Sequence, residues 1–239
     1  MGHYTNMSAY YDVIMTSGYY DYPKIVSSLI DQQPIHQVLE LGCGTGLILE
    51  ELARRRPDAA ITGVDLTPEM LEIAEQRLKP FGNIVLSQQN VCELTLDGMH
   101  DLVFSYGGVW YFVVDGDKPP VLVSHIPDDA ANRVGLDKLA SHIAPGGRLM
   151  LGIQGPHHNY AKTIANGMVY SQEIEPLADG FVKHYYLDDG SARVMAQTIR
   201  YKTYDFEQAC DMLRAVGLQY DASSDPHTGT SCFIRFTKA

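Results

Sequence analysis

Three glycines at alternate positions are the first residues in the chain whose types and spacing favour a specific chemistry. A short apolar segment, residues 36–41, leads into Gly42, Gly44 and Gly46, and a helix pattern starts directly after them. Glycines let the backbone turn tightly and approach a bound ligand, because no Cβ stands in the way. The segment therefore predicts a pocket of the nucleotide-binding type.

The spacing of these glycines restricts the kind of nucleotide. A dinucleotide fingerprint needs its third glycine at position 47, where this chain has Leu47. A second strand pattern, residues 60–65, ends in Asp65, about 20 residues beyond the glycines, where Rossmann-like sites hold ribose hydroxyls. The two signals together argue against a nicotinamide dinucleotide and for another ribose-containing ligand.

The segment Glu-Leu-Gly-Cys-Gly-Thr-Gly, residues 40–46, resembles motif I of the class I S-adenosylmethionine-dependent methyltransferases. This resemblance covers roughly residues 36–154 and the C-terminus. It implies an α/β fold with a Rossmann-like, doubly wound sheet of seven strands, and S-adenosylmethionine as cofactor. The cofactor-binding residues carried over are Glu40, Gly42, Cys43, Gly44, Gly46, Asp65, Leu66, Met70, Asn90, Val91 and Ser105.

Several of these assignments have alternatives. The resemblance implies that Glu40 receives the methionine ammonium and that Asp65 accepts both ribose hydroxyls. Glu40 could instead cap the glycine turn, Asp65 could be a solvated strand end, and Met70 fits the core side of a helix. Asn90 stands where the family has an acid, although its side-chain oxygen can still accept a hydrogen bond from adenine.

Tyrosines are concentrated at the start of the chain. Residues 1–34 hold six of the fifteen tyrosines, and Tyr combines an apolar body with a polar tip, which suits a lid over a ligand. The segments 11–12 and 18–22 resemble the N-terminus of small-molecule N-methyltransferases of the amino-sugar and glycine types. The resemblance implies cofactor contact and a catalytic role for Tyr11, cofactor contact for Tyr20, and substrate contact for Tyr22. The alternative is a helix whose tyrosines only pack.

Aromatic and imidazole side chains follow two later strand patterns. Ligands in open α/β sheets lie beyond the carboxyl ends of the strands, where the loops after residues 101–105 and 148–154 belong. The residues predicted to contact substrate are Tyr22, Tyr106, Trp110, Tyr111, His157, His158 and Tyr160. His157 is the first candidate for a general base, with Tyr111 as a further catalytic candidate and His227 as a weaker one. Core packing of the aromatic residues and exposure of the histidines are the alternatives. No metal is expected, because adjacent histidine side chains diverge.

A single domain of 239 residues is predicted to position these groups. Its parts are a Tyr-rich helical lid (1–34), a cofactor-binding core (35–154), an inserted antiparallel β cap (155–203) and a closing helix with a β-hairpin (204–239). Apolar spacing predicts helices over 24–33, 47–56, 127–142 and 204–216, and the start Thr67-Pro68-Glu69 predicts another. The cap follows from two strand patterns around the turn Asp188-Asp189-Gly190-Ser191.

Composition restricts the partners. The net charge of -11 argues against nucleic-acid binding, which needs a basic face. The chain has no apolar run of membrane-spanning length and no signal-peptide pattern at its start, so we expect a cytoplasmic protein without a membrane partner. The four cysteines are scattered, which predicts reduced thiols. A homodimer is left open.

These observations predict an enzyme of secondary metabolism that transfers a methyl group by in-line displacement to a small molecule. An amine nitrogen is the preferred acceptor, because the resemblance is to N-methyltransferases and no base is compelling. Two alternatives remain. One is methylation at oxygen or carbon with His157 or a tyrosine as base, and the other is a protein that binds S-adenosylmethionine without transferring its methyl group.

Overall fold

The structure is a computed structural model that describes residues 4–30, 35–227 and 231–239. In these residues the helices are α1 (Ser8–Met15), α2 (Tyr22–Ile30), α3 (Leu47–Arg55), α4 (Pro68–Leu78), α5 (Asp129–Ser141) and α6 (Phe206–Ala215). The strands are β1 (Gln37–Leu41), β2 (Ala60–Asp65), β3 (Ile84–Gln88), β4 (His100–Ser105), β5 (Trp110–Val113), β6 (Val121–Ser124), β7 (Ile143–Gln154), β8 (Tyr160–Thr163), β9 (Val169–Leu177), β10 (Gly180–Asp189), β11 (Ala192–Tyr204), β12 (Leu218–Tyr220) and β13 (Phe233–Lys238).

The centre of the fold is a parallel sheet with the order β3-β2-β1-β4-β7. Consecutive βα units lie on both sides of β1, which is the doubly wound arrangement that places a ligand site at the carboxyl ends of the strands. Strand β13 pairs antiparallel to β7, and β12 pairs to β13. The predicted Rossmann-like α/β fold is confirmed.

The described part of the sheet has thirteen strands, more than the seven predicted. The additional strands form because the long strand β7 continues beyond the residues that pair with β4, and its end pairs with β5 at Phe112 and Ile153. From there the sheet runs on through β6, β11, β10, β9 and β8. The inserted cap is therefore an extension of the main sheet, joined where β11 pairs with β6.

Local sequence signals explain where the helices begin. Pro68 takes the first turn of α4 after Thr67, and α6 begins with a capping box between Asp205 and Gln208. The end predicted for the helix 24–33 and the first three residues of the predicted lid lie outside the described residues. No helix in the part of the chain that the structure describes is long and apolar enough to cross a membrane.

Three apolar clusters surround the sheet. Two of them pack α2–α4 on one side of the parallel strands and α5 and α6 on the other. The third joins the lid to the cap, because Met7, Ile14 and Met15 pack against Tyr185 and Tyr201 of the cap strands. The lid and the cap therefore close over the same edge of the sheet, above the carboxyl ends of β1 and β2.

Candidate active site

The glycine loop after β1 is shaped by close backbone approaches. Gly42, Gly44 and Gly46 all have positive φ values, of 73°, 55° and 80°. A Cβ on Gly42 would lie only 2.8 Å from the Cα of Gly108, and one on Gly46 would lie 2.9 Å from Leu78. Gly44 faces the ring of Tyr11. The backbone of the loop therefore requires glycine, and contact of Gly42, Gly44 and Gly46 with a cofactor stays a prediction.

Asp65 fixes this loop to the next helix. Its Oδ2 accepts a hydrogen bond from the backbone N–H of Gly44 at 2.8 Å, and its Oδ1 accepts one from Thr67 at 2.8 Å. Burial raises the pKa of the Asp65 carboxyl, while these hydrogen bonds oppose that shift. The carboxylate lines the cavity described below and keeps further acceptor capacity toward it.

Glu40 is a buried acid beneath the loop, at the end of β1. It is 2% exposed, and its Oε2 has no hydrogen-bond partner among the described residues. Burial, and secondarily the charge of Asp65, raise the pKa of Glu40 well above its usual range. An unpartnered buried carboxyl is costly, so its retention points to a donor that the protein itself does not supply.

Next to the loop lies the main cavity, whose empty space of about 940 Å³ is partly open to solvent. The glycine loop, the lid and the cap strands all contribute to its wall. Of the predicted site residues, it is lined by Tyr11, Tyr20, Gly42, Gly44, Asp65, Leu66, Met70, Val91 and Tyr111. The lining residues that the sequence analysis did not single out include Tyr4, Met7, Met15, Tyr19, Gln89, His125, Gln154, Lys183, Tyr185 and Tyr201.

A second cavity of about 690 Å³ adjoins the main one on the side of the cap. The residues shared by both walls are Tyr19, Tyr20, Gln154 and Lys183. The predicted substrate residues Tyr106, His157, His158 and Tyr160 line this second cavity and not the main one. A molecule reaching from one cavity to the other would pass these shared side chains.

Trp110 was predicted to contact substrate, but the structure places it in the core. Its side chain is fully buried in the core, and its Nε1 donates a 2.8 Å hydrogen bond to Asn132 on α5. Its ring also packs so closely on Gly135 that a Cβ there would lie 3.1 Å away. The packing alternative therefore holds for Trp110, whereas the adjacent Tyr111 faces the main cavity.

Other predicted residues also lie away from the cavity walls. The Asn90 side chain accepts a hydrogen bond from the backbone N–H of Cys92, so it caps a turn. Cys43 and Ser105 are buried beside Gly63 and Gly108. The remaining residues outside both walls are Glu40 and Gly46, which shape the loop from below, Tyr22, which packs with the lid, and His227, which is exposed.

Burial disfavours the charged form of two histidines near the cavities, His125 and His157. Burial lowers the pKa of His125 and of His157 to about 3, and the charge of Lys183 acts in the same direction on both. His157 stacks on Tyr111, with Nε2 3.4 Å from the phenol oxygen. The predicted base at His157 is therefore a weak one, because desolvation disfavours its protonated form.

The lid is tied to the glycine loop by an ion-pair network. Asp12 on α1 accepts a 2.6 Å hydrogen bond from the hydroxyl of Thr45 and forms an ion pair with Arg77. Arg77 also donates to the backbone oxygen of Thr45 at 2.9 Å and pairs with Glu50 at 3.0 Å. This network holds Tyr11 against Gly44 and was not foreseen, because its members are distant in the sequence.

Comparison with known proteins explains this arrangement. Residues 38–147 match the family model described as a methyltransferase domain. The chain contains a methyltransferase domain. In a curated relative, the trans-aconitate 2-methyltransferase of Deinococcus radiodurans, 158 residues are 28% identical, which is 66% of this chain and 52% of that protein. The chain spans about half the length, or less, of the curated relatives it matches.

Solved methyltransferases share the whole fold. An amino pentose methyltransferase from Micromonospora echinaspora aligns with a TM-score of 0.70 and 16% identity, over 96% of this chain and 97% of that one. A sugar N-methyltransferase from Streptoalloteichus aligns with a TM-score of 0.67 and 18% identity, over 95% and 92%. The predicted class I methyltransferase fold is confirmed, including the parts outside the matched domain. In residues 4–30, 35–227 and 231–239, no group of three metal-ligating side chains is suited to hold an ion.

Proposed function

We propose that the protein transfers a methyl group from S-adenosylmethionine to a small-molecule acceptor, at an amine nitrogen. The observation that supports this most strongly is the glycine loop between two acids, the buried Glu40 and the partly buried Asp65, beside a cavity that the lid and the cap strands also line. Solved relatives with the same fold include a protein described as a sugar N-methyltransferase, which supports the choice of nitrogen.

The residues around the loop fit S-adenosylmethionine. The unpartnered Oε2 of Glu40 matches the ammonium of its methionine part, directly or through water, and Asp65 matches its ribose hydroxyls. Leu66, Met70 and Val91 supply an apolar wall suited to the adenine ring. When bound, this cofactor supplies a methyl group on a sulfonium, whose departure leaves a neutral thioether.

The lid and the cap would exclude water from the reaction. Tyr11 lies against Gly44, and Tyr20 accepts a 2.9 Å hydrogen bond from Gln154, so the hydroxyls of the lid reach the loop and the far wall. Burial raises the pKa of Tyr11, Tyr20 and Tyr111 well above the usual tyrosine range. These hydroxyls stay protonated and orient the reactants by hydrogen bonding, which is the role we assign to Tyr11 and Tyr111.

The properties of His125, His157 and the buried tyrosines favour an acceptor that needs no strong base. A phenol or a carbon acid must lose a proton before it attacks, whereas a neutral amine already has a free lone pair. His125 and His157, with pKa values lowered to about 3 by burial, would remove such a proton poorly. The buried tyrosine hydroxyls are equally poor bases. The weakness of these histidines and tyrosines as bases therefore favours an amine nitrogen over oxygen or carbon.

Calorimetry and a product assay test the proposal. We expect S-adenosylhomocysteine to bind, and we expect its formation from S-adenosylmethionine when primary and secondary amines are offered as acceptors. Mass spectrometry of the product then locates the methyl group. Methylation at oxygen or carbon would overturn the choice of nitrogen. Binding without product across amines, phenols and carboxylic acids would favour a protein that holds the cofactor without transferring methyl.

A further inference from the structure

Lys183 has a position that binding of the methyl donor does not explain. It lies on β10, is 3% exposed, and lines both the main and the second cavity. No carboxylate among the described residues forms an ion pair with its Nζ, and no described acceptor forms a hydrogen bond with it. The contact recorded for its ammonium is the ring of Tyr185, with Nζ 5.0 Å from the centroid.

A buried ammonium without a counter-ion is unusual and costly. The chain has 29 acidic residues against 18 basic ones, so carboxylates are plentiful. Lys202, on the neighbouring strand, pairs with Asp129 at 3.0 Å and Asp179 at 3.2 Å. By contrast, the acid in the wall of the main cavity is Asp65, which is already engaged with the glycine loop. A positive charge at Lys183 therefore has no counter-ion among the described residues that line the two cavities.

We infer that the acceptor carries a carboxylate, and that Lys183 binds this carboxylate where the two cavities meet. This inference rests on the proposed function, because it describes the acceptor of that reaction. A single ammonium balances the single charge of a carboxylate, whereas a phosphate would leave its second charge without a partner. The methyl-accepting atom is then a different one, since a carboxylate held by a cation is a weaker nucleophile.

His157 lies in the wall of the second cavity together with Lys183. If the hydroxyl of Tyr111 donates to its Nε2, at 3.4 Å, the neutral ring carries its proton on Nδ1. That Nδ1 is buried and has no hydrogen-bond partner among the described residues. Burial also lowers the pKa of Lys183 to about 7, the direction expected for an ammonium without a counter-ion. A carboxylate would supply the counter-ion that Lys183 lacks, on the side of the second cavity where His157 lies.

Binding of matched probes tests the inference. The probes are 3-phenylpropanoate, its primary amide and 3-phenylpropylamine, measured by ligand-observed NMR with protein saturated with S-adenosylhomocysteine. We expect the carboxylate to bind about tenfold more tightly than the amide or the amine, the effect of one charge-assisted hydrogen bond. Lys183→Met should abolish this preference. Lys183→Arg, which stays charged, should retain it.

Lys202→Met is the matched control, because it removes the same charge from the adjacent cap strand outside both cavities, and it should leave the preference unchanged. The inference is overturned if the amide binds as tightly as the carboxylate, if the carboxylate does not bind, or if the preference survives in Lys183→Met. Should that variant not fold, Lys183→Gln carries the same expectation. Failure of S-adenosylhomocysteine itself to bind would instead refute the proposed function.

Discussion

Replacement of Asp65 by alanine should weaken binding of S-adenosylhomocysteine without abolishing the fold. The wild-type carboxylate has two tasks, because it accepts hydrogen bonds from the backbone N–H groups of Gly44 and Thr67 and also faces the main cavity. The variant therefore leaves the ligand hydroxyls unpartnered and loosens the glycine loop that surrounds them.

The expected loss of binding free energy is about 1 to 3 kcal/mol, the cost of leaving buried polar groups without a partner. This corresponds to a dissociation constant about 5- to 150-fold higher. Isothermal titration calorimetry measures it directly. Asp65→Asn keeps one acceptor oxygen, so its loss should be smaller than that of Asp65→Ala.

Asp58→Ala is the matched control for this measurement. Asp58 lies just before the first residue of β2, whereas Asp65 is the last residue of that strand. Asp58 pairs with Arg56 at the surface, at the end of β2 that is away from the glycine loop. Its replacement should leave the affinity unchanged. If Asp65→Ala folds and binds S-adenosylhomocysteine as tightly as the wild type, the assignment of Asp65 to the cofactor is refuted.

Three further predictions concern groups around the cavity. Burial raises the pKa of Glu40 above its value in the unfolded chain, so the stability of the ligand-free protein should fall as pH rises above the ordinary range of a Glu carboxyl. Glu40→Gln should flatten this dependence of Tm on pH. Asp12→Ala breaks the ion pair with Arg77, whose loss is worth about 1 kcal/mol. It should therefore speed dissociation of S-adenosylhomocysteine about fivefold, as measured by surface plasmon resonance. Trp110→Phe loses the hydrogen bond to Asn132 and should lower the free energy of unfolding by about 1 to 3 kcal/mol in urea titrations, with unchanged binding of 3-phenylpropanoate.

Each of these predictions has an outcome that contradicts it. A Tm profile in Glu40→Gln parallel to that of the wild type would mean that Glu40 does not titrate differently in the folded state. Asp21→Ala is the matched control for Asp12→Ala. The Asp21 carboxylate accepts a hydrogen bond from the backbone N–H of Lys24, within the same N-terminal segment, and does not join this segment to the cofactor-binding core. Equal dissociation rates in Asp12→Ala and Asp21→Ala would mean that the ion pair between Asp12 and Arg77 does not slow release of the ligand. Weaker binding of 3-phenylpropanoate in Trp110→Phe would mean that Trp110 does contribute to substrate binding.

The elements that could be predicted from the sequence are those encoded by a few neighbouring residues. The glycine loop, the start of α4 at Thr67 and Pro68, and the apolar strands β1 and β2 are each encoded within a few residues. Asp65 was found because it ends a strand at a fixed distance from the glycines. The Rossmann-like core and the loop beside the cavity were therefore predictable from the sequence.

The joining of the cap to the main sheet was not predictable. The hairpin of β10 and β11 follows from its turn residues, but β11 pairs with β6 through Lys202 and Ser124, which are distant in the sequence. Such a pairing depends on the tertiary position of both strands, which alternation alone does not specify. The same limit applies to Asp12 and Arg77, which come together only in the folded chain.

The faces of short strands explain the error at Trp110 and the omission of Lys183. Neighbouring residues of a strand point to opposite faces, so Trp110 and Tyr111 could not both face the cavity, but the sequence did not show which one does. On β10 the same alternation puts Lys183 on the buried face with Tyr185 and Leu187. A lysine within an apolar face is a signal that would have identified it.

A crystal structure of the protein with S-adenosylhomocysteine tests the central claim most directly. The account predicts that the ribose hydroxyls lie within hydrogen-bond distance of Asp65, that the amino group approaches Glu40, and that the sulfur faces the part of the main cavity that leads to Lys183. A ribose bound elsewhere, with the loop of Gly42 and Gly44 making no ligand contact, would contradict it.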